Sequence, residues 1–398
     1  MKLCIITPNV IKGDGQGRAN YEITWEAIRR GHHVTLLAGR VVPELQQNSQ
    51  VSWIPVSSKS RIPTQLLGSI YFYLKSAHLL RQHQHEFDLI QVYGGITSIP
   101  GDVNTIQFVH TAWLRSSAHI SRVKRNLYGA YQWLYSALHI SWEKKLLPQA
   151  EVVVAVSEKI KDELVNLIGV PEERISVILN GVDLDEFFPG SADRKTWGLP
   201  ENVPLALFVG DIRLNRKNLD TVLHALTQVP GLHLAVVGAT EGSPYPRLSE
   251  SLGLSERVHF LGYRRDVADI MKAADFFVFP SRYEACTLAL LEALASGLPV
   301  ITAVTAGGAE VVTPDCGVVL PDSEDREALV EAMNSLTNDP DRRGRMSQGA
   351  RLVAEQHSWV SKAQSYLNLF ERVAKEKSSN INESQFAEGT VTTSLVSQ

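Results

Sequence analysis

The chain has 398 residues, 44% of them hydrophobic and 21% charged, with a formal net charge of −4. That balance predicts two or three globular domains and excludes a chain too polar to bury a core. Residues 1–149 carry 16 Lys and Arg against 8 Asp and Glu, the remainder 23 against 35, so a basic front half either meets an anionic partner or is simply solvated differently from the acidic back half.

The opening MKLCIITPNVIKGDG holds too short an apolar stretch for a secretory signal, and no run approaches the roughly 20 residues of a membrane span. Cys4, Cys286 and Cys316 are too few for a disulfide framework, which makes a reducing cytoplasm the expected location. Apolar, β-rich runs follow at 3–7, 34–38, 51–56, 88–93, 105–109, 151–156 and 175–179, with helical stretches at 20–31, 63–82 and 122–146 between them. Strands without polar alternation are expected where helices cover both faces of a parallel sheet. Prolines and turn residues then mark a passage between domains. A second set of strands follows at 205–210, 232–238, 258–262, 275–280, 299–302 and 317–321, with helices at 218–227, 265–273, 286–296 and 323–337. The expected fold is α/β, with two doubly wound domains and ligands at the carboxyl ends of their strands. After residue 376 the sequence turns polar and aperiodic and reads as a disordered tail.

Between Thr287 and Ala309 the only charged residue is Glu292. It lies eight residues after Glu284, in SRYEACTLALLEALASG, where a strand ends, a loop follows and a helix begins near Cys286. The free N–H groups at that helix start, around Cys286, Thr287 and Leu288, suit a phosphate. A carboxylate at 292 suits a vicinal diol such as a ribose; the plainer alternatives are a dipole partner for Glu284 and a solvated face for Glu292. FVGDIRLNRKNLDTVLHAL sets Arg213, Arg216 and Lys217 just after a strand, where cations can neutralise a diphosphate leaving group. In KGDGQGRANYEI, Gly13, Gly15 and Gly17 permit close backbone approach. A dinucleotide fingerprint would need G-x-G-x-x-G directly after the strand and a later acid, but a loop intervenes here and Arg40 stands in the acid's place.

PSRYEACTLALLEALASGLPVI resembles the E-x7-E signature of retaining, family-4-type glycosyltransferases of the GT-B fold, in which two Rossmann-like domains face a central cleft. The resemblance extends along most of residues 1–375. It implies that Glu284 contacts the donor sugar, that Glu292 binds the nucleotide ribose, and that Lys217 with Arg213 or Arg216 meets the diphosphate beside Gly210. Gly307 and Gly308 would close over the donor, Tyr263 and Arg264 would reach the base, and His110 the sugar. Gly15, Gly17 and Arg18 would lie near the phosphates and acceptor, and Asn180 at the entry between domains. Two spacings depart from the pattern: Asp211 follows Gly210, with Lys217 seven residues past that Gly, and a single residue separates Gly308 from Glu310.

The implied domains are 1–185 (acceptor-binding), 186–204 (linker), 205–356 (nucleotide-sugar-binding), 357–376 (a helix returning to the first domain, anchored by Trp359) and 377–398 (the tail). The implied co-substrate is a UDP-, GDP- or ADP-linked sugar, with a glycan or lipid-linked acceptor, no cofactor, no required metal and no nucleic acid. Arg115, Arg122, Lys124 and Arg125, followed by Tyr128, Tyr131, Trp133 and Tyr135, suit an anionic membrane surface; packing of those aromatics into the core is the alternative. D-x-D at 183–185 and 339–341 falls in turns, and the His pair in HQH at 83–85 lacks further ligands. A non-catalytic nucleotide- or sugar-binding protein, or a nucleotide-sugar epimerase, would share the fold.

Overall fold

The computed structural model describes residues 1–12, 15–56 and 62–394, with side chains to residue 379; Gly13 lies outside the described residues. Strands β1 (Lys2–Val10), β2 (His33–Val41), β3 (Val51–Pro55), β4 (Leu89–Tyr93), β5 (Val103–Ile106), β6 (Val152–Ala155) and β7 (Ile175–Val177) form one sheet, in the order β3-β2-β1-β4-β5-β6-β7. Strands β8 (Leu205–Val209), β9 (His233–Val237), β10 (Val258–Gly262), β11 (Phe276–Phe279), β12 (Val300–Ala303) and β13 (Gly317–Leu320) form a second, in the order β10-β9-β8-β11-β12-β13. The pairings run parallel. By its contacts the chain divides into two compact units: Met1–Thr105 with Lys144–Val154 and the chain from Lys362, and Ile106–Glu143 with Ala155–Ser361.

The strands are apolar throughout because both faces are covered. Phe208, Phe276, Phe277 and Phe279 are fully buried in the second sheet, each contributing about 1.5–3 kcal/mol of burial. In the first sheet Cys4, Ile6, Leu37, Ile90 and Val92 pack with Leu80. The chain winds outward from β8 to β10, then returns to place β11 on the other side of β8. The order therefore reverses between β8 and β11, and it is beyond the carboxyl ends of such neighbours that doubly wound sheets bind ligands.

Two elements differ from the sequence reading. The strand expected over 105–109 ends at Ile106, and His110 opens a helix, His110–Arg115, because its N–H is taken by the Glu143 carboxylate instead of a neighbouring strand. The last helix runs from Trp359 to Ser394, past residue 377, where composition suggested disorder. Its packed portion holds Leu367, Phe370 and Val373 in the core, and Glu371 bonds Arg30 and His32. From such a nucleus each further residue adds a hydrogen bond without needing an apolar face.

Candidate active site

The turn after β8 carries the chain from Gly210 to a short 3-10 turn, Asn215–Lys217, and then to Asn218. Asn218 has a φ of 65°, a left-handed angle that Asn tolerates better than most residues. Its amide donates to the Pro280 carbonyl (2.8 Å) and the Ser323 carbonyl (2.6 Å), which pins this turn to the ends of β11 and β13. Lys217 is aimed as a result: its stem lies against Gly210 and its Nζ sits 2.6 Å from Glu284 Oε1. Arg216 Nη1 approaches the same oxygen at 2.7 Å.

Glu284 is held from both directions along the backbone. Its N–H donates to Thr305, and its carbonyl accepts from Gly307. The side chain is 10% exposed. Burial alone would raise its carboxyl, but Lys217 and Arg216 hold it below the ordinary carboxylate range. Burial draws the Lys217 ammonium down while Glu284 opposes this; a 2.6 Å contact with an ionised carboxylate keeps it charged.

The helix beyond spans Leu288–Ala295, so Cys286 and Thr287 precede it and Leu288 is its first residue. Thr287 stands at the N-cap without capping, and its Oγ1 is buried with no hydrogen-bond partner among the described residues. Glu292 is half-buried on this helix, while Leu290, Leu291, Ala293, Leu294 and Ala295 are buried. Facing the loop, a Cβ at Gly307 would lie 1.8 Å from the Ala285 carbonyl oxygen. Gly308 has a φ of 95°. Glu310 accepts from Gly308 N–H (2.8 Å) and from Glu158 N–H (2.9 Å), and Ser157 Oγ donates to the Ala285 carbonyl at 2.6 Å.

His110 Nδ1 lies 2.6 Å from Glu143 Oε1, and the His139 ring stacks on it at 4.4 Å. The adjacent carbonyl, Val109, accepts from the Tyr283 hydroxyl at 3.2 Å. The same hydroxyl lies 3.1 Å from Glu163, whose carboxyl is raised by burial. One aromatic hydroxyl thus ties the residue before Glu284 to the residue before His110. A cavity of about 450 Å³ opens beside it, lined by Arg115, Lys159, Arg282, Tyr283 and Thr305 among others.

The remaining expectations divide. Arg213 is 58% exposed and spends its guanidinium on Asp211, at 2.7 Å; it makes no ion pair with Glu284, and Arg216 takes that position. Tyr263 is exposed, and Arg264 pairs with Asp266. Asn180 is buried and accepts from Gln107 at 3.1 Å. Gly15 and Gly17 open the helix Gly15–Arg29 in the other compact unit, and Arg18 there pairs with Glu22 at 2.7 Å. Asp183 accepts from Asp185 N–H as a turn residue, and Asp339 caps a helix. Among the described residues no group of three or more His, Cys, Asp and Glu could hold a metal.

Tyr283 and Glu143 escaped the sequence reading. The signal for Glu143 was present, because Tyr135, His139 and Glu143 recur at four-residue spacing on one helix face. Nothing local marks Tyr283 beyond its place beside Glu284.

Two family models match the chain: Glycosyltransferase Family 4 over residues 13–186 and Glycosyl transferases group 1 over residues 191–353. A D-inositol 3-phosphate glycosyltransferase of Xylanimonas cellulosilytica is 28% identical, over 92% of this chain and 94% of its own. Among solved structures, WaaG, a glycosyltransferase involved in lipopolysaccharide biosynthesis, superposes with a TM-score of 0.73 at 24% identity, over 92% of this chain and 99% of WaaG. Anabaena Alr3699/HepE in complex with UDP-glucose gives 0.67 at 19% identity, over 95% and 100%.

Proposed function

This chain is a glycosyltransferase of the family-4 type with the GT-B fold, transferring sugar from a nucleotide-sugar donor, and from that premise we propose the roles of its residues, its stereochemistry and its acceptor. The donor diphosphate lies among Lys217, Arg216, Thr287 Oγ1 and the free N–H groups of helix Leu288–Ala295. The carrying observation is the pairing of two cations on the single buried carboxylate of Glu284, beside a helix start whose own cap hydroxyl is unused. A diphosphate offers those cations a second anion, and Glu284 is then available to the sugar hydroxyls. Glu292 clamps the ribose, and His110 meets the sugar. Gly307 and Gly308 close the loop over the donor, Gly210 makes room for the Lys217 stem, and Tyr263 and Arg264 reach the base.

Configuration is retained. The acceptor oxygen bonds to the anomeric carbon on the face the phosphate leaves, the carbon–phosphate oxygen bond breaks, and the leaving phosphate oxygen takes the acceptor proton. Lys217, Arg216 and the helix N–H groups stabilise the departing charge, so no metal is needed. The acceptor is a glycan or lipid-linked sugar; Gly15, Gly17 and Arg18 in the first unit, and Asn180 in the second, are its candidate contacts, each taken within its own unit. Among the described residues no helix is long and apolar enough to cross a membrane. Val123, Tyr128, Trp133 and Leu134 are exposed, and Leu127 is 91% exposed, next to exposed Arg122, Lys124 and Arg125. This pattern supports peripheral binding to an anionic bilayer; flotation with anionic vesicles should fall when Arg115, Arg122, Lys124 and Arg125 are neutralised together, and unchanged flotation rejects the membrane reading.

The test of the donor reading is thermal unfolding with UDP, GDP and ADP, for wild type and Glu292→Ala, followed by release of nucleoside diphosphate from UDP-glucose, GDP-mannose and ADP-glucose. A ligand at 100 times its Kd adds about 2.7 kcal/mol. One nucleotide should raise Tm in wild type and not in the variant; no shift with any of them rejects the donor assignment.

A further inference from the structure

Glu143 lies on the helix Leu127–Leu146, with a side chain only 5% exposed. Among the described residues its hydrogen bonds all go to His110. Its two oxygens lie 3.2 and 3.1 Å from the backbone N–H, and Oε1 lies 2.6 Å from Nδ1. No Lys or Arg among the described residues forms an ion pair with it. This is an expensive place for a carboxylate unless each oxygen has a donor, and His110 supplies both.

The arrangement dictates where the ring proton sits. An ionised carboxylate only accepts hydrogen bonds, and the backbone N–H already addresses both oxygens, so Nδ1 must carry a hydrogen. In a neutral imidazole the other nitrogen then keeps its lone pair. The ring is also clamped: His139 stacks at 4.4 Å and 17°, and Phe108 meets it edge-on at 5.1 Å. Burial above all pushes His139 down to about 3, so near pH 7 the stacked ring is neutral and brings no charge against His110.

We infer that Glu143 is a positioning residue that fixes His110 in its Nδ1–H tautomer, so that Nε2 meets the donor sugar as a hydrogen-bond acceptor and selects a free hydroxyl there. The inference rests on His110 being the sugar contact proposed above, and it adds the polarity of that contact. A donor sugar whose hydroxyl at this point is replaced by hydrogen or a methyl ether would lose the bond, on the order of tenfold in kcat/KM.

Two measurements on the full chain test it. The first is nitrogen NMR of protein labelled at the imidazole nitrogens, with the His110 resonances identified by their loss in His110→Gln. Wild type should show a protonated Nδ1 and an unprotonated Nε2. In Glu143→Gln the amide offers a donor as well as an acceptor, so the Nε2–H form should become populated. An Nε2–H ring in wild type, or an unchanged tautomer in a folded Glu143→Gln, overturns the inference; the wild-type spectrum decides even if that variant does not fold.

The second is a double-mutant cycle on nucleoside diphosphate release from whichever of UDP-glucose, GDP-mannose or ADP-glucose is turned over. His110→Ala and Glu143→Gln should each lower kcat/KM, and the double variant should be no worse than His110→Ala alone. Fully additive losses mean that Glu143 acts elsewhere and sink the inference. If His110→Ala keeps full activity, the sugar-contact reading fails instead, and the NMR result still stands on its own.

Discussion

Two buried glutamates, Glu284 and Glu143, find their partners in opposite ways. Glu284 is surrounded by charge: Lys217 and Arg216 share one of its oxygens. Glu143 has no Lys or Arg partner among the described residues and is satisfied by one backbone N–H and one imidazole. The first arrangement is exchangeable, since any stronger anion can draw the cations away. The second has no counter-charge to surrender and serves to orient. Residue type alone would not have separated a carboxylate that trades partners from one that holds a partner still.

The comparison can be broken most forcibly at Lys217. Lys217→Ala should lower kcat by about 10²–10³-fold, the loss seen for single groups that stabilise a leaving or transition-state anion, while Tm changes little because Arg216 remains on Glu284. Activity within threefold of wild type would show that the cluster is structural. The two arginines come next. Arg216→Ala should reduce kcat/KM by roughly 10–100-fold, as loss of a charge-assisted hydrogen bond does, whereas Arg213→Ala should stay within about twofold because Asp211 already neutralises it. Equal losses would reverse the assignment.

On the Glu143 side, pH separates the two arrangements. His139 in the folded chain lies at about 3, below the ordinary imidazole value of about 6.5. As pH falls, the unfolded chain therefore takes up this proton first. The stability from keeping His139 neutral is complete above about pH 7 and is lost progressively down to about pH 3. Between pH 7 and pH 5 the loss amounts to about 2 kcal/mol. Urea unfolding at both pH values should show this loss in wild type and a smaller one in His139→Phe, which keeps the stacked ring; identical losses would place the neutral ring in doubt. The smallest effect is expected at Thr287. Thr287→Val removes a buried hydroxyl that has no partner, so stability should hold or rise slightly, while nucleoside diphosphate affinity drops by roughly five- to tenfold, about 1 kcal/mol. Unchanged affinity, read by calorimetry, would remove Thr287 from the phosphate site.

Much of this was legible in the residues. The continuous apolar strands gave both parallel sheets, since side chains covered on two faces leave no alternation to misread. The stretch SRYEACTLALLEALASG read as a loop followed by a helix, and the structure has one. Its start proved two residues later than expected, at Leu288, because Thr287 N–H is committed to Gly307. The β5 boundary was misread for a related reason: Val109 and Phe108 look like strand residues, but their run ends where a carboxylate 33 residues away takes the next N–H. The choice between Arg213 and Arg216 was open in sequence; in the structure Arg213 pairs with Asp211, two residues before it, and Arg216 with Glu284. Glu143 shares a helix face with Tyr135 and His139 at four-residue spacing, a pattern legible in sequence, but its bond to His110 comes only from tertiary packing.

The approach of Gly307 to the Ala285 carbonyl has a bearing on protein engineering. A Cβ there would fall 1.8 Å from a backbone oxygen, a collision no rotamer can relieve because the clashing partner is main chain. Position 307 is therefore closed to the other nineteen amino acids, and a library that randomises it spends that fraction of its members on misfolded loops. Position 263 is the contrasting case, since the Tyr263 side chain is exposed and can be exchanged without moving the backbone.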